Sequence, residues 1–278
     1  METTKRQIEE LQEITKGCNF SKEMLEKYIS EDYHQERRLF EFEIHNLFNS
    51  KKDKILNVGA GRGGLSCALS KQGYLVDNLE YKTCYAKIIE WKYRSYKLKG
   101  KIMNLAVEDF KPKEKYDVIT LVDVIEHVKD PIKTLKVLNK TLKDDGKVYI
   151  TVPTKYHLKD PHYNLPFICF LPDKSADFIL KALGLYKSDK SAGMQSLSDL
   201  HYYSHDEFTE LAKKMGFAII DLRRKEILEP EKYIFQKTRK KYFSIIYLLK
   251  KLGLSRLAMP LIRTFFGHRF ILTKIKEV

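Results

Sequence analysis

The stretch Lys54-Ile55-Leu56-Asn57-Val58-Gly59-Ala60-Gly61-Arg62-Gly63-Gly64 decides the fold. A short apolar run that stops at a glycine cluster reads as a buried parallel strand. The glycines let the backbone turn tightly and approach a ligand without a Cβ in the way. A helix from about Gly63 to Lys71 follows, and the free amides at its start favour a carboxylate or phosphate.

Working outward, Tyr74 to Glu80 reads as a second strand, Ala86 to Leu98 as a helix and Lys101 to Leu105 as a third strand. Asp117 to Val122 is a fourth strand. Pro131 to Leu142 is a helix opened by proline in its first turn, and Lys147 to Val152 is a strand that follows a turn at Asp144-Asp145-Gly146. Asp206 to Met215 is a helix stopped by Gly216, Phe217 to Asp221 a strand, and Phe270 to Thr273 the last strand. This alternation predicts a doubly wound, mainly parallel α/β sheet of seven strands covered on both faces. Around the core at 51–222, the sequence sets a helical N-terminal cap at 1–50 (Ile8, Leu11, Leu25, Tyr28, Ile44), a lid insertion at 154–200 and a basic C-terminal segment at 223–278.

Of the 278 residues, 43% are hydrophobic and 32% charged, which suits a folded enzyme and argues against disorder. Cys18, Cys67, Cys84 and Cys169 are widely spaced and form no CxxC pair, so neither a zinc knuckle nor a disulfide framework is expected, and a reducing cytoplasm is the expected compartment. The first residues lack an apolar signal region, and nowhere do about eighteen apolar residues run together. The net charge is +14, and from Arg223 onward fifteen Lys and Arg face four Glu. The excess charge therefore sits in the tail.

Glu80 ends the second strand about twenty residues after the glycine loop, where a carboxylate can accept hydrogen bonds from both hydroxyls of a ribose. Gly59, Gly61 and Gly64 satisfy GxGxxG, a pattern shared with nicotinamide dinucleotide sites, so the loop alone does not separate the two cofactors.

The later motifs do separate them. Asp117-Val118-Ile119, then Asp123-Val124-Ile125-Glu126-His127-Val128-Lys129-Asp130-Pro131, then Leu142-Lys143-Asp144-Asp145-Gly146-Lys147 before a strand ending at Pro153, resemble the fourth and fifth motifs of class I S-adenosylmethionine (SAM) methyltransferases. The nearest subgroup includes the ubiquinone-biosynthesis O-methyltransferases. The resemblance covers roughly Lys54 to Asp221 and implies a Rossmann-like core with SAM as cofactor. It sets the methionine end against Gly59 and Gly61, the ribose on Glu80, and adenine beside Ala106, Val107, Glu108 and Asp109, with Asp123 at the end of the fourth strand. Asn57 departs from the acidic residue more common there, which weakens its expected hold on the methionine ammonium group.

SAM brings an activated methyl group, so the protein must align the acceptor, exclude water and, for a hydroxyl, take up a proton. His127 and Asp123 are the candidate bases, and His127 has the better unperturbed pKa. Asp123, Glu126 and His127 also form DxxEH, which resembles the ExxEH of metal-using O-methyltransferases, where a further histidine completes the site. His201, His162 and His157 are the candidates for that place. The reading without a metal is preferred, because the same Glu-His pair occurs in relatives that use none. In the lid, His157 and His162 are open to either binding or packing, whereas Phe167 and Phe170 are expected to fill its small core.

In the tail, Lys237, Arg239, Lys240, Lys241, Lys250, Lys251, Arg256 and Arg263 alternate with apolar residues. Two readings stay open: peripheral contact with an anionic membrane surface, or a helical pair packed on the core with a solvated basic rim. Nucleic acid ranks third, for want of a binding motif. The expected function is methyl transfer to oxygen on a small or lipid-linked molecule, such as a quinone precursor or a cell-surface saccharide. RNA methylation and a non-catalytic SAM-binding protein are the alternatives. The expected location is the cytoplasm, with contact at the inner membrane face as a further reading.

Overall fold

The computed structural model describes residues 5–30, 35–186, 195–233 and 240–275. The tail cations Lys237 and Arg239 lie outside the described residues, as do parts of the cap (1–4, 31–34) and of the lid (187–194). Seven hydrogen-bonded strands run in the order β3-β2-β1-β4-β5-β7-β6. The predicted strand count and α/β class are both correct. The chain divides into two compact units, residues 1–120 with 140–147, and residues 121–139 with 148–278.

The first unit opens with three helices, α1 (Lys5–Ile14), α2 (Lys22–Ser30) and α3 (Glu36–Ile44). There follow β1 (Lys54–Val58), α4 (Gly64–Lys71), β2 (Leu75–Leu79), α5 (Thr83–Ser95), β3 (Ile102–Met103) and β4 (Tyr116–Leu121). Ile55, Leu56 and Val58 of β1 are all buried, as a parallel strand covered on both faces requires. β1 pairs in parallel with β2, setting Asn57 opposite Asn78 and Val58 opposite Leu79. Ile8, Leu11, Leu25, Tyr28 and Ile29 of α1 and α2 bury against Ile88 and Trp91 of α5, so the apolar stripes of the cap cover the helix that follows β2.

A disulfide also joins these elements, between Cys18 and Cys84, with their Cα atoms 5.8 Å apart. This corrects the expectation of unpaired cysteines. The two are 66 residues apart in sequence, and only the packing of α1 and α2 on α5 makes them neighbours. Cys67 and Cys169 are free.

Helix α6 (Pro131–Thr141) leads straight into β5 (Leu142–Val152). The expected turn at Asp144-Asp145-Gly146 is therefore absent, and those residues extend the strand. Lys143 Nζ is held 2.7 Å from Asp117 Oδ1. A Cβ on Gly146 would stand 2.9 Å from the Asp117 carbonyl oxygen. Glycine here serves close backbone approach within an extended segment.

The second unit continues through α7 (Asp173–Ala182), α8 (His205–Lys214), β6 (Phe217–Asp221), α9 (Leu222–Leu228), α10 (Lys240–Lys251), α11 (Ser255–Phe265) and β7 (His268–Lys274). Ser204 and Glu207 form a reciprocal capping box at the start of α8. β7 runs antiparallel to both β5 and β6. The predicted lid has a small core of its own, built from Tyr163, Ile168, Ala176, Leu180 and Leu197. Phe167 and Phe170 are not in that core: they are 62% and 47% exposed. Phe167 also adopts a left-handed φ of 60°.

Part of the tail's charge is spent inside the unit. Arg223 and Arg269 both pair with buried Glu226, and Arg223 also donates to the Gly267 carbonyl at 2.8 Å.

Candidate active site

In the first unit, the amides of Gly59 and Ala60 both donate to the Leu79 carbonyl, at 2.8 and 3.1 Å, and the Gly63 amide closes the turn on Ala60 at 2.9 Å. Gly59, Gly61 and Gly63 have φ of 64°, 56° and 80°, a region that side chains with a Cβ rarely enter. At Gly61 a Cβ would meet nothing within 4 Å, so the loop presents bare backbone to open space.

Glu80, buried at the end of β2, spans this loop. Its Oε2 accepts from the Gly61 amide at 2.7 Å and its Oε1 from the Lys82 amide at 2.9 Å. A carboxylate offers about four lone-pair sites, so two amides leave capacity for two hydroxyls. Burial raises the Glu80 pKa above the usual carboxylate range, while the amides of Lys82 and Gly61 pull it back. A residue absent from the sequence reading holds this loop: Asn104 Nδ2 donates to the carbonyls of Glu80 at 2.8 Å and Tyr81 at 3.0 Å, and its Oδ1 accepts from Thr83. The signal available was a polar residue just past the third strand.

Val107, Glu108 and Asp109 form one 3-10 turn, with Val107 buried. Asn57 looks inward. Its amide donates to Ser66 Oγ at 2.7 Å and its oxygen accepts from Thr120 Oγ1 at 2.8 Å, bracing β1 against α4 and β4. Open backbone at the loop, a carboxylate with spare acceptor capacity and a half-buried turn fit the adenosyl cofactor expected from the sequence.

In the second unit, Asp123 has a φ of 55°, unusual for a residue other than glycine. Thr151 Oγ1 accepts from its amide at 2.7 Å and donates to its Oδ1 at 2.8 Å. Such strained positions persist where the surroundings fix them, and they cluster at functional sites.

His127 and His162 meet nearby. His127 Nδ1 lies 2.6 Å from Gln195 Oε1. His162 Nδ1 lies 2.7 Å from the Tyr202 hydroxyl, which itself donates to Asp160 Oδ2 at 2.8 Å. Gln195 Oε1 can only accept, so His127 Nδ1 donates to it, and the Tyr202 hydroxyl, which gives its proton to Asp160, accepts from His162 Nδ1; the two Nε2 atoms lie 3.3 Å apart, within hydrogen-bond reach when one of them carries a proton. Glu126 Oε1 is 4.0 Å from His127 Nε2. Burial pushes the Glu126 carboxyl up to about 8. Asp160 anchors the arrangement, accepting the amides of His162 and Tyr163 at 2.9 and 2.6 Å. Gln195 and Tyr202 had no assigned role in the sequence, because their partners lie about 70 and 40 residues away along the chain, distances that periodicity does not register.

Among the described residues, Glu126, His127 and His162 are a group able to hold a metal ion, with one donor atom from each lying within 4.8 Å of the others. Of the candidates His201, His162 and His157, His162 is the one in this group. His201 contributes its backbone amide to the Glu126 carbonyl at 2.9 Å instead. Asp123 is held by Thr151 and is not one of the three donors.

A family model described as a methyltransferase domain matches residues 32–222. The chain belongs to the methyltransferase domain family. The predicted class, a SAM-dependent methyltransferase with a doubly wound sheet, stands on that membership. Among curated relatives, the ubiquinone biosynthesis O-methyltransferase of Histophilus somni is 31% identical over 104 residues, covering 35% of this chain and 44% of the relative. The protein of the same name from Pelagibacter ubique is 28% identical over 124 residues, covering 44% and 52%. The matched segment thus spans about half or less of these relatives. Two solved structures share the fold. PKMT2 from Rickettsia typhi in complex with AdoHcy has a TM-score of 0.55 at 15% identity, covering 86% of this chain and 53% of that one. Magnesium protoporphyrin IX methyltransferase from Synechocystis with bound SAH has a TM-score of 0.51 at 11% identity, covering 98% and 95%.

Proposed function

We propose that this methyltransferase moves a methyl group from SAM to an oxygen of a small or lipid-linked acceptor, such as a quinone precursor or a cell-surface saccharide. The observation that carries the reading is the buried Glu80 carboxylate bridged by the Gly61 and Lys82 amides, which suits the diol of an adenosine ribose. The names of the curated relatives favour oxygen as the acceptor atom. The exposed rings of Phe167, Phe170 and Phe178 in the lid favour an acceptor with an apolar portion. The reading carries with it a chain that meets its acceptor at a membrane face.

SAM supplies a methyl group already activated on a sulfonium. The chain's own residues do the rest. Gly59, Gly61, Glu80, Val107, Glu108 and Asp109 hold the cofactor, with Asn57 bracing the loop from behind and Asp123 at the end of β4. His127 takes the acceptor proton at Nε2, because Gln195 fixes its other nitrogen as the donor. Glu126, His127 and His162 alternatively fit a divalent cation, which would take the Nε2 lone pair of His127 in place of the proton. Nitrogen donors about 2.0–2.1 Å from a tetrahedral zinc stand roughly 3.3 Å apart, which matches the 3.3 Å between the two Nε2 atoms. A cation there would polarise an acceptor oxygen.

The test is calorimetric titration with SAM, S-adenosylhomocysteine and NADH. Binding of both adenosyl ligands, weakened about tenfold or more by Glu80→Ala, is expected. Absence of adenosyl binding would overturn the proposal, and NADH binding in its place would make the protein an oxidoreductase.

A further inference from the structure

We infer that the α10–α11 hairpin is a docking surface for an anionic lipid bilayer. The two helices bury one side of the hairpin: Ile246 and Ile262 pack with Ile227 of α9, with Tyr242, Leu249, Ala258 and Met259 around them. That packing accounts for the inward stripe of each helix. A hairpin that merely capped the core would carry polar groups on its other face.

The outward stripe is apolar instead. Ile245, Leu248 and Leu252, spaced three and four residues apart, share one line along α10 and its end, with exposures of 59%, 56% and 61%. Leu254, Leu257 and Leu261 are likewise exposed along the hinge and α11, where Leu257 reaches 72% and Leu261 62%. Six exposed large apolar side chains on one helical hairpin mark an interaction site rather than ordinary surface.

Charge selects the occupant. From Lys240 to Phe266 the sequence contains six Lys and Arg and no Asp or Glu. By helical position, Lys241 lies within the α10 stripe and Lys240 and Lys251 beside it, and all three are exposed, whereas Arg263 of α11 is turned away to Asp221. A second copy of the same face would bring like charges together, which disfavours self-association. Leucines for the acyl boundary with cations for acidic headgroups are the two components of interfacial helix binding. No helix among the described residues is long and apolar enough to cross a membrane. The inference rests on exposure and charge, and it holds or fails independently of the methyl-transfer reading.

The test is co-sedimentation of the full chain with phosphatidylcholine vesicles and with vesicles in which about a quarter of the lipid is phosphatidylglycerol. Binding to the mixed vesicles at least about tenfold stronger than to neutral ones, and weakened by salt, is expected. Leu248→Glu with Leu257→Glu should abolish it without lowering the thermal midpoint, since both side chains are exposed. Lys240→Gln with Lys241→Gln and Lys251→Gln should remove the preference for anionic lipid. No sedimentation with anionic vesicles, or binding that survives the leucine substitutions, would overturn the inference. So would a concentration-dependent dimer in analytical ultracentrifugation that the leucine substitutions abolish.

Discussion

His127 Nε2 and His162 Nε2 face each other at 3.3 Å, each ring fixed from behind by a different partner, Gln195 and Tyr202. Two lone pairs at that distance are accommodated by a shared proton or a shared cation. After dialysis against chelator, calorimetry with Mn²⁺ or Zn²⁺ should show binding that His162→Ala weakens about tenfold or more, while His201→Ala leaves it unchanged. Cation binding unaffected by His162→Ala would leave His127 as a proton acceptor alone.

Asn104 acts on the cofactor site through the loop it holds. Asn104→Ala removes both hydrogen bonds to the carbonyls of Glu80 and Tyr81. The expected result is several-fold weaker S-adenosylhomocysteine binding in calorimetry with little change in thermal midpoint, because the residue is exposed. A large fall in midpoint with unchanged affinity would assign it to stability instead.

Asn57 should behave in the opposite way. Asn57→Ala strands the buried hydroxyls of Ser66 and Thr120, and a buried polar group left without its partner costs about 1–3 kcal/mol. Urea unfolding should therefore show a loss of that order. Wild-type stability in the variant would rule out the bracing role.

The Cys18–Cys84 bond closes a loop of 66 residues in sequence separation. Loop-closure entropy for such a length is about 4 kcal/mol. Dithiothreitol, or Cys18→Ser, should lower stability by up to that amount. Labelling with a thiol reagent should rise by two groups under denaturing conditions after reduction.

His268 gives the acid limb of stability a definite sign. Burial, then the neighbouring His205, lowers its pKa to about 4, so the folded chain keeps it neutral where the unfolded chain, near 6.5, binds a proton. Its stabilising contribution is whole above about pH 6.5 and is lost as pH falls towards 4, by up to about 3 kcal/mol. His205, raised by its bond to Asp221, contributes in the other sense: its stabilisation is present below about 6.5 and lost as pH rises through its folded pKa. His268→Phe should flatten the decline between pH 6.5 and 4 in chemical denaturation. An unchanged slope would sink the assignment.

What the sequence determined by itself was whatever local periodicity and turn chemistry encode. The apolar run at Lys54–Val58 and the glycines behind it were sufficient for the α/β class, and with the acid at Glu80 they marked a candidate nucleoside site, because strand, turn and helix form within some thirty residues. DxxEH likewise marked Glu126 and His127. Tertiary structure alone decided which distant groups meet. His162 rather than His201 reaches Glu126 and His127, Cys18 finds Cys84, and Asn57 turns to Ser66 and Thr120. It also decided that the leucines of α10 and α11 face outward while Ile246 and Ile262 face the core. Each of these pairings joins segments whose separation carries no sequence period, so it is fixed only when the buried faces of whole elements have packed.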